Sequence, residues 1–264
     1  MIRHDLSNDQ YHAAEGVSKS TLDLIHVAPA LVEWRKNAPV DVSKQDAFMI
    51  GTAVHAAILE PDMFARYYIQ SPKFDMRTNA GKADFAAFKA EAEGKIVVTP
   101  DDHKLITMAR DSALAHPTFR QLYECDHVCE SSIFWDHELG IKCKCRPDFM
   151  MRSRPLVVDI KTTSDIKKFS NSVYDYRYHT QDRHYSDGVS REFGGEECAF
   201  YFLAISTSFS GGRLPVHLFE LGEEEREIGA KERLADLESY RWCMENRSWP
   251  GVEPLYLPGW AKKI

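Results

Sequence analysis

Residues 146–163 read RPDFMMRSRPLVVDIKTT. Apolar, strand-like runs flank a polar centre, so the stretch predicts a β-hairpin with a two-residue turn at Ser153 and Arg154. Such a turn pairs residues whose numbers sum to 307, and it sets Asp148 directly opposite Asp159, with Cβ atoms roughly 4.5–5.5 Å apart. The hairpin therefore brings two carboxylates together on one face of a predicted sheet.

The two facing carboxylates repel each other unless a positive charge neutralises them. A divalent cation would do so, and carboxylate oxygens suit Mg²⁺ or Mn²⁺. Strand alternation puts Lys161 on the face of Asp159, where the lysine can orient or deprotonate an attacking water or stabilise charge on a phosphate. The alternative is a structural hairpin in which Asp159 pairs only with Lys161, and a register shift of one residue would remove the metal site.

The rest of the chain predicts a single α/β domain with a mixed central sheet flanked by helices. It has a helical part over about residues 1–125, a sheet core over about 126–220 and a closing helix over about 223–247. The predicted strands are Val128–Trp135, Ile141–Met151, Leu156–Lys161, Cys198–Ser206 and Pro215–Glu220. The predicted helices are one that starts at Ser18 or Ser20 and is limited by Pro29, then Gln45–Leu59, Lys82–Glu93, Asp101–Ala115, about Ser164 to Phe193, and Glu223–Asn246.

Composition narrows the class of protein. The 264 residues carry 33 Lys and Arg against 40 Asp and Glu, for a net charge of −7. This balance argues against a general nucleic-acid coat protein, but it does not exclude a nuclease with a local basic patch. The longest mainly apolar stretch, Ala47–Leu59, is too short to span a bilayer, and the polar N-terminus has no signal-peptide core. We therefore expect a cytoplasmic protein that does not engage a membrane.

Further motifs accompany the hairpin in a fixed order. Gly51-x-x-x-His55 precedes it on a predicted helix, and Gln181-x-x-x-Tyr185 follows it on another. Together with Pro147-Asp148 and Asp159-x-Lys161, this order resembles the RecB-like branch of the PD-(D/E)xK nucleases. Overall length and the segments between the motifs are most similar to the C-terminal nuclease domain of the prophage RecE exonuclease (exonuclease VIII) family. The resemblance implies a restriction-endonuclease-like core.

The activity that the resemblance implies is a Mg²⁺-dependent exodeoxyribonuclease, for which Mn²⁺ may substitute. Such an enzyme degrades linear double-stranded DNA 5′→3′ and leaves 3′ single-stranded tails for recombination, handed to an annealing protein of the RecT type. The family assembles as toroidal homotetramers. Only Cys198 and Cys243 follow Gln181-x-x-x-Tyr185, so we expect no iron–sulfur cluster. An endonuclease with the same core and a non-catalytic DNA-binding module remain open alternatives.

The resemblance also implies a set of metal ligands. Asp148, Asp159, a neutral His55 and the backbone carbonyl of Ile160 would hold one or two metal ions. Glu130 begins the strand before Asp148. A two-residue turn does not set it beside Asp148, so its participation as a metal ligand requires a β-bulge.

Four residues that follow the hairpin, Gln181 and Tyr185 and the basic Arg177 and Arg183, complete the predicted site. Gln181 and Tyr185 stand at i and i+4 on one helix face, which the family reading places at the active site, on the DNA backbone or the metal-bound groups. The same stripe can be simple core packing. Arg177 and Arg183 belong to a basic neighbourhood that either binds DNA phosphates or is a solvated face. Glu60, five residues after His55, lies about 140° around a helix and is predicted to face elsewhere.

Overall fold

The structure is a computed structural model that describes residues 1–39, 45–252, 254–257 and 261, without the side chains of residues 45–49. Its strands are β1 (Ile2–Arg3), β2 (Tyr68–Gln70), β3 (Ile96–Val98), β4 (His127–Cys129), β5 (Ser132–Asp136), β6 (Lys142–Cys145), β7 (Phe149–Met151), β8 (Leu156–Thr163), β9 (Ala199–Ser206) and β10 (Val216–Glu220). Its helices are α1 (Asn8–Ala13), α2 (Lys19–Val27), α3 (Ala30–Asn37), α4 (Gln45–Leu59), α5 (Pro61–Tyr67), α6 (Asn79–Glu91), α7 (Pro100–Ala115), α8 (Pro117–Tyr123), α9 (Phe169–Asp175), α10 (Tyr178–Glu192) and α11 (Glu223–Asn246).

A mixed five-stranded sheet in the order β10-β9-β8-β7-β4 forms the centre of the fold. Strands β8 and β9 are parallel, and the other neighbouring pairs are antiparallel. A separate antiparallel sheet has the order β1-β5-β6, and β2 pairs with β3 in parallel. Helices flank the central sheet, so the α/β class and the restriction-endonuclease-like core are confirmed. None of the described helices is both long and apolar enough to cross a bilayer.

The register of the predicted hairpin is confirmed. Phe149 pairs with Val158 and Met150 pairs with Val157, and both pairs sum to 307. Extended by one residue, this register sets Asp148 opposite Asp159, although the ladder itself ends at Phe149 and the Ile160 amide donates to the Asp148 carboxylate instead. The sequence arithmetic therefore predicted the register that brings the two carboxylates near each other.

Strand β8 occupies the middle of the central sheet, so its Asp159 and Lys161 side chains lie inside the molecule. Val158 and Ile160 point into an apolar cluster beneath α4 and α7. Val157 points into a second cluster beneath α10. Both faces of β8 are thus covered, as is typical of a strand with a parallel neighbour. Because side chains alternate, Asp159 and Lys161 share the face of Val157.

Two long predicted strands are wrong, because each is divided between the two sheets. Val128–Trp135 becomes β4 and β5, separated where Glu130 adopts a left-handed backbone with φ of 51°. Ile141–Met151 becomes β6 and β7, separated at Arg146-Pro147-Asp148. Proline has no N–H to give to a β-ladder, so Pro147 allows the chain to leave one sheet and enter the other.

The observed helices agree with the predicted ones more closely than the strands do. Helices α4 (Gln45–Leu59) and α11 (Glu223–Asn246) have the predicted bounds. Pro61 lies just after the end of α4 and is the first residue of α5, a position that proline favours. The predicted helix from Ser164 to Phe193 is wrong as one element. It is interrupted between α9 and α10, where Arg177 has a left-handed φ of 52°. No Gly or Pro marks this break, and the Arg177 side chain at the break makes ion pairs with Asp23, Glu232 and Asp236.

Candidate active site

Asp148 lies at the start of β7 and is largely buried. Its Oδ2 accepts a hydrogen bond of 2.7 Å from the Ile160 amide, which fixes the carboxylate against β8. Burial raises the pKa of Asp148 well above its ordinary value, and the charge of Asp159 raises it further, against a lowering by Lys161. An anionic Asp148 is therefore disfavoured unless a cation binds nearby.

Asp159 is held by two side chains. Its Oδ2 lies 2.6 Å from Nζ of Lys161, and its Oδ1 accepts a hydrogen bond of 2.5 Å from Nε2 of Gln181. Burial lowers the pKa of Lys161, but Asp159 and Asp148 raise it by more, so the net shift is upward. Lys161 therefore carries its proton at neutral pH, which favours charge stabilisation over deprotonation of a water.

His55, Glu130 and Asp148 form a cluster whose potential ligand atoms all lie within 4.8 Å of one another. The Nδ1 atom of His55 is 3.4 Å from Oδ2 of Asp148. Burial, then the charge of Lys161, lowers the pKa of His55, so the imidazole is neutral and has a free lone pair. The main chain of Ile160 lies near the ring and opposes this lowering of the pKa only weakly.

This donor set fits a divalent cation. One imidazole nitrogen and two carboxylates are ligands that Mg²⁺ and Mn²⁺ accept, and a cation would relieve the repulsion between the acids. The prediction put Asp159 in the ligand set and left Glu130 open. The structure instead brings Glu130 to His55 and Asp148, while both oxygens of Asp159 face Lys161 and Gln181. Coordination by Asp159 stays a prediction.

The expectation that Glu130 needs a β-bulge is wrong. The strand pairs on either side of it, Cys129–Phe149 and Ile133–Cys145, both sum to 278, and this register sets Glu130 opposite Asp148. The turn leaves three residues between His137 and Ile141, one more than the two-residue turn on which the expectation rested.

Glu130 has a left-handed backbone, disfavoured by roughly 1–2 kcal/mol for a residue with a side chain, and its N–H donates to the Asp148 carbonyl at 3.1 Å. Arg146 then orients the carboxylate through a contact of 2.8 Å. The same guanidinium donates to the Leu6 carbonyl and to Ser132. Sequence reasoning missed Arg146, although its place directly before Pro147-Asp148 was a usable signal.

A cavity of about 580 Å³ opens onto this cluster. It is lined by residues in and near α1, α4, α5 and the sheets, namely Leu6, Ser7, Asn8, Gly51, Thr52, His55, Ala56, Glu60, Met63, Glu130, Arg146 and Thr162. Gly51 faces Thr162 across it, and a Cβ there would come to 3.5 Å from the hydroxyl. Glu60, predicted to face elsewhere, also lines this cavity but is not part of the His55–Glu130–Asp148 cluster.

Of the remaining predicted residues, Tyr185 lies close to the site and the two arginines do not. Tyr185 packs beside Phe200, and burial, followed by the charges of Tyr11 and Asp159, raises the pKa of its hydroxyl well above the ordinary value. It therefore lies near the acids, on the helix face of Gln181.

The two arginines do not join the site. Arg177 is only 9% exposed, and its guanidinium binds Asp236, Glu232 and Asp23 inside the protein, so the prediction that it contacts DNA is corrected. Arg183 lines a groove beside α11 together with Glu197, Glu223 and Glu227. Two residues after Gln181, it projects from another side of α10, since helical residues are about 100° apart.

The pKa of Glu130 predicts a pH-dependent stability. Burial, then the charge of Asp148, raises it to about 7 against the lowering by Arg146. The metal-free folded protein therefore keeps a proton that the unfolded chain releases near pH 4.5, and this contribution to stability is lost as pH rises through 7. We expect the free energy of unfolding in EDTA to fall by roughly 2–3 kcal/mol more between pH 5 and 8 in wild type than in Glu130→Gln.

Urea unfolding at several pH values measures this difference. Asp126→Asn, which changes an exposed carboxylate next to β4, is the control and should follow wild type. Parallel pH profiles of wild type and Glu130→Gln would contradict the assignment of a raised pKa to Glu130.

The fold and this constellation define a class, the PD-(D/E)xK nuclease superfamily. The chain belongs to the family described as PDDEXK-like domain of unknown function, whose model matches residues 18–253. No curated protein sequence matches the chain at a significant level.

Among the solved structures that are similar to this chain, two are named as exonucleases. A candidate exonuclease from Eubacterium rectale is 13% identical, with a TM-score of 0.60 over 98% of this chain and 99% of that one. A phage-related exonuclease from Haemophilus somnus is 12% identical over 90% of this chain and 99% of that one, with a TM-score of 0.34. The first similarity supports the architecture, and at this identity it carries no information about substrate.

Proposed function

We propose that the protein is a metal-dependent deoxyribonuclease that hydrolyses phosphodiester bonds of linear double-stranded DNA. The observation that carries the proposal is the position of the His55–Glu130–Asp148 cluster beside the buried Asp159–Lys161 pair. A structural hairpin needs neither a neutral histidine aimed at the acids nor a third buried carboxylate beside them. Each of these features costs stability and serves the binding of a cation.

The side chains have separable roles in this proposal. His55, Glu130 and Asp148 would hold Mg²⁺ or Mn²⁺, which supplies charge neutralisation for the phosphate and a lowered pKa for an attacking water. Lys161, held by Asp159, points its ammonium at the developing charge of the phosphate. Gln181 fixes the orientation of Asp159 through its hydrogen bond, so the lysine stays in one position.

The direction of degradation, the product and the assembly are proposed from the resemblance of the motifs to the RecE family. We extend the proposal to 5′→3′ degradation that leaves 3′ single-stranded tails, in the cytoplasm, by a toroidal homotetramer that supplies an annealing protein of the RecT type. The support is the similarity of Gly51-x-x-x-His55, Pro147-Asp148, Asp159-x-Lys161 and Gln181-x-x-x-Tyr185 to the RecE family, in the same order.

Digestion of labelled DNA tests this activity. With Mg²⁺, linear duplex should be degraded with early release of a 5′ label and late release of a 3′ label, and a covalently closed circle of the same sequence should stay intact. Early release of the 3′ label would overturn the polarity. Cleavage of the closed circle would show an endonuclease.

A substitution of His55 tests the proposed ligand set. His55→Ala removes the only nitrogen donor of the cluster and should weaken Mn²⁺ binding at least tenfold, since even outer partners of a ligand contribute roughly that much. Activity in Mg²⁺ should fall and recover in part at high Mn²⁺, which binds nitrogen-containing sites more tightly. Calorimetric Mn²⁺ titration measures the change in Mn²⁺ affinity. The control is His217→Ala, which alters an exposed histidine of β10. Unchanged Mn²⁺ affinity in His55→Ala would return this histidine to a packing role.

A further inference from the structure

Alternating tyrosines precede and open α10. Tyr174 and Tyr176 are 76% and 60% exposed, whereas Tyr178 is partly buried against Phe202. The Tyr176 ring stacks on that of Tyr178, with centroids 5.6 Å apart and planes inclined by 28°. The exposed Tyr176 ring therefore leaves an aromatic face in water on which a flat ring of a ligand can stack.

This aromatic pair is continuous with the candidate active site. Nζ of Lys161 lies 4.6 Å from the Tyr178 ring centroid, so the ammonium contacts both Asp159 and the aromatic face. Nζ of Lys19 lies 5.9 Å from the centroid of the same ring, donates a hydrogen bond of 2.5 Å to the Tyr176 carbonyl and pairs with Asp23 at 2.7 Å. The Tyr178 ring is therefore close to two ammonium groups.

The backbone between the rings is held firmly. Arg177 adopts a left-handed conformation that residues with side chains rarely take, and such strain is typical of functional positions. Its guanidinium is anchored by Asp236 at 2.6 Å and by Glu232 at 3.1 Å, both on α11. The arginine expected to contact DNA thus instead fixes Tyr176 and Tyr178 relative to each other.

We propose that Tyr176, supported by Tyr178, is a stacking platform for an unpaired nucleobase of the DNA strand whose phosphate Lys161 contacts. The inference rests on the proposed nuclease function and deepens it. Bases have flat faces that stack on tyrosine whatever their sequence, and flanking ammonium groups attract the backbone. A base inside a duplex has both faces covered, so the platform selects a frayed or single-stranded nucleotide.

Binding measured in EDTA tests the platform without cleavage. Tyr176→Ala should bind a single-stranded dodecanucleotide about 5- to 150-fold more weakly than wild type, the usual effect of losing one base stack. The salt dependence of binding should not change, since no phosphate contact is lost. Tyr176→Phe keeps the ring and should bind within about twofold of wild type. Tyr174→Ala, at a more exposed tyrosine that lines a different groove, is the matched control and should bind normally.

A second measurement uses wild-type protein, so it does not depend on the folding of a variant. Abasic nucleotides are introduced one position at a time along the oligonucleotide. One position should show the loss of affinity seen for Tyr176→Ala, and the two losses should not add when combined. Equal affinities of wild type and Tyr176→Ala, an equal loss in Tyr174→Ala, or the absence of any sensitive position would overturn the platform.

Failure of the platform and failure of the nuclease proposal give different results. If wild type degrades linear duplex with Mg²⁺ while Tyr176→Ala binds normally, only the platform is wrong. If Tyr176→Ala loses affinity while wild type cleaves nothing, the platform is right and the nuclease proposal is wrong.

Discussion

Asp148→Asn should lose Mg²⁺-dependent cleavage by at least about 10³-fold, because a bound metal contributes several kcal/mol to phosphoryl-transfer catalysis. The asparagine oxygen can still accept the hydrogen bond from the Ile160 amide, so the local backbone should be retained. The substitution removes a buried charge that faces Asp159. We therefore expect the metal-free variant to be at least as stable as wild type at pH 8.

Single-turnover cleavage and thermal unfolding of the same samples measure both effects. Asp126→Asn is the matched control, because it changes an exposed aspartate near the same strand and should affect neither quantity. Cleavage by Asp148→Asn within tenfold of wild type would contradict the assignment of Asp148 to the metal.

Asp159 should behave differently from Asp148. Relief of carboxylate repulsion alone predicts that either substitution stabilises the fold, but Asp159 also pairs with Lys161 and accepts from Gln181. Asp159→Ala leaves a buried ammonium without its partner, which typically costs about 3–5 kcal/mol. We expect this variant to lose cleavage and to unfold more easily than Asp148→Asn.

Lys161→Ala should cleave roughly 10²–10³-fold more slowly while it still binds DNA and metal, because the ammonium acts on charge that develops during the reaction. Lys161→Arg should rescue poorly. The larger planar guanidinium does not replace a compact ammonium held between Asp159 and the Tyr178 ring.

The control is Lys231→Ala, an exposed lysine of α11 that should cleave normally. If the Asp159–Lys161 pair served only the sheet, cleavage would survive its loss, since structural pairs act on stability. Duplex affinity and single-turnover rates for the three variants separate these cases. Near-normal cleavage by Lys161→Ala would refute the role given to this lysine.

The sequence predicted the parts of the site that depend on local spacing. Register follows from turn length, so Asp148 and Asp159 could be paired by arithmetic, and strand alternation then placed Lys161. The helical spacing of Gln181 and Tyr185 likewise gave their shared face. The bounds of Glu223–Asn246 followed from periodicity alone.

The sequence could not predict which residues from distant parts of the chain contact each other. Charge made Arg177 a plausible DNA contact, and nothing nearby in sequence indicates that Asp236 would draw it inside. The place of Glu130 opposite Asp148 depends on a turn one residue longer than expected, and its left-handed backbone is not marked by a glycine. The contact of Tyr178 with Lys161 depends on how α10 packs on β8.

The Mn²⁺ dependence of single-turnover cleavage of linear duplex, measured together with calorimetric Mn²⁺ binding, tests the central claim most directly. We expect no cleavage in EDTA, a rate in wild type that rises with the occupancy seen by calorimetry, and the loss of both signals in Asp148→Asn. Cleavage in EDTA, or Mn²⁺ binding that is unchanged in Asp148→Asn, would contradict a metal centre at His55, Glu130 and Asp148.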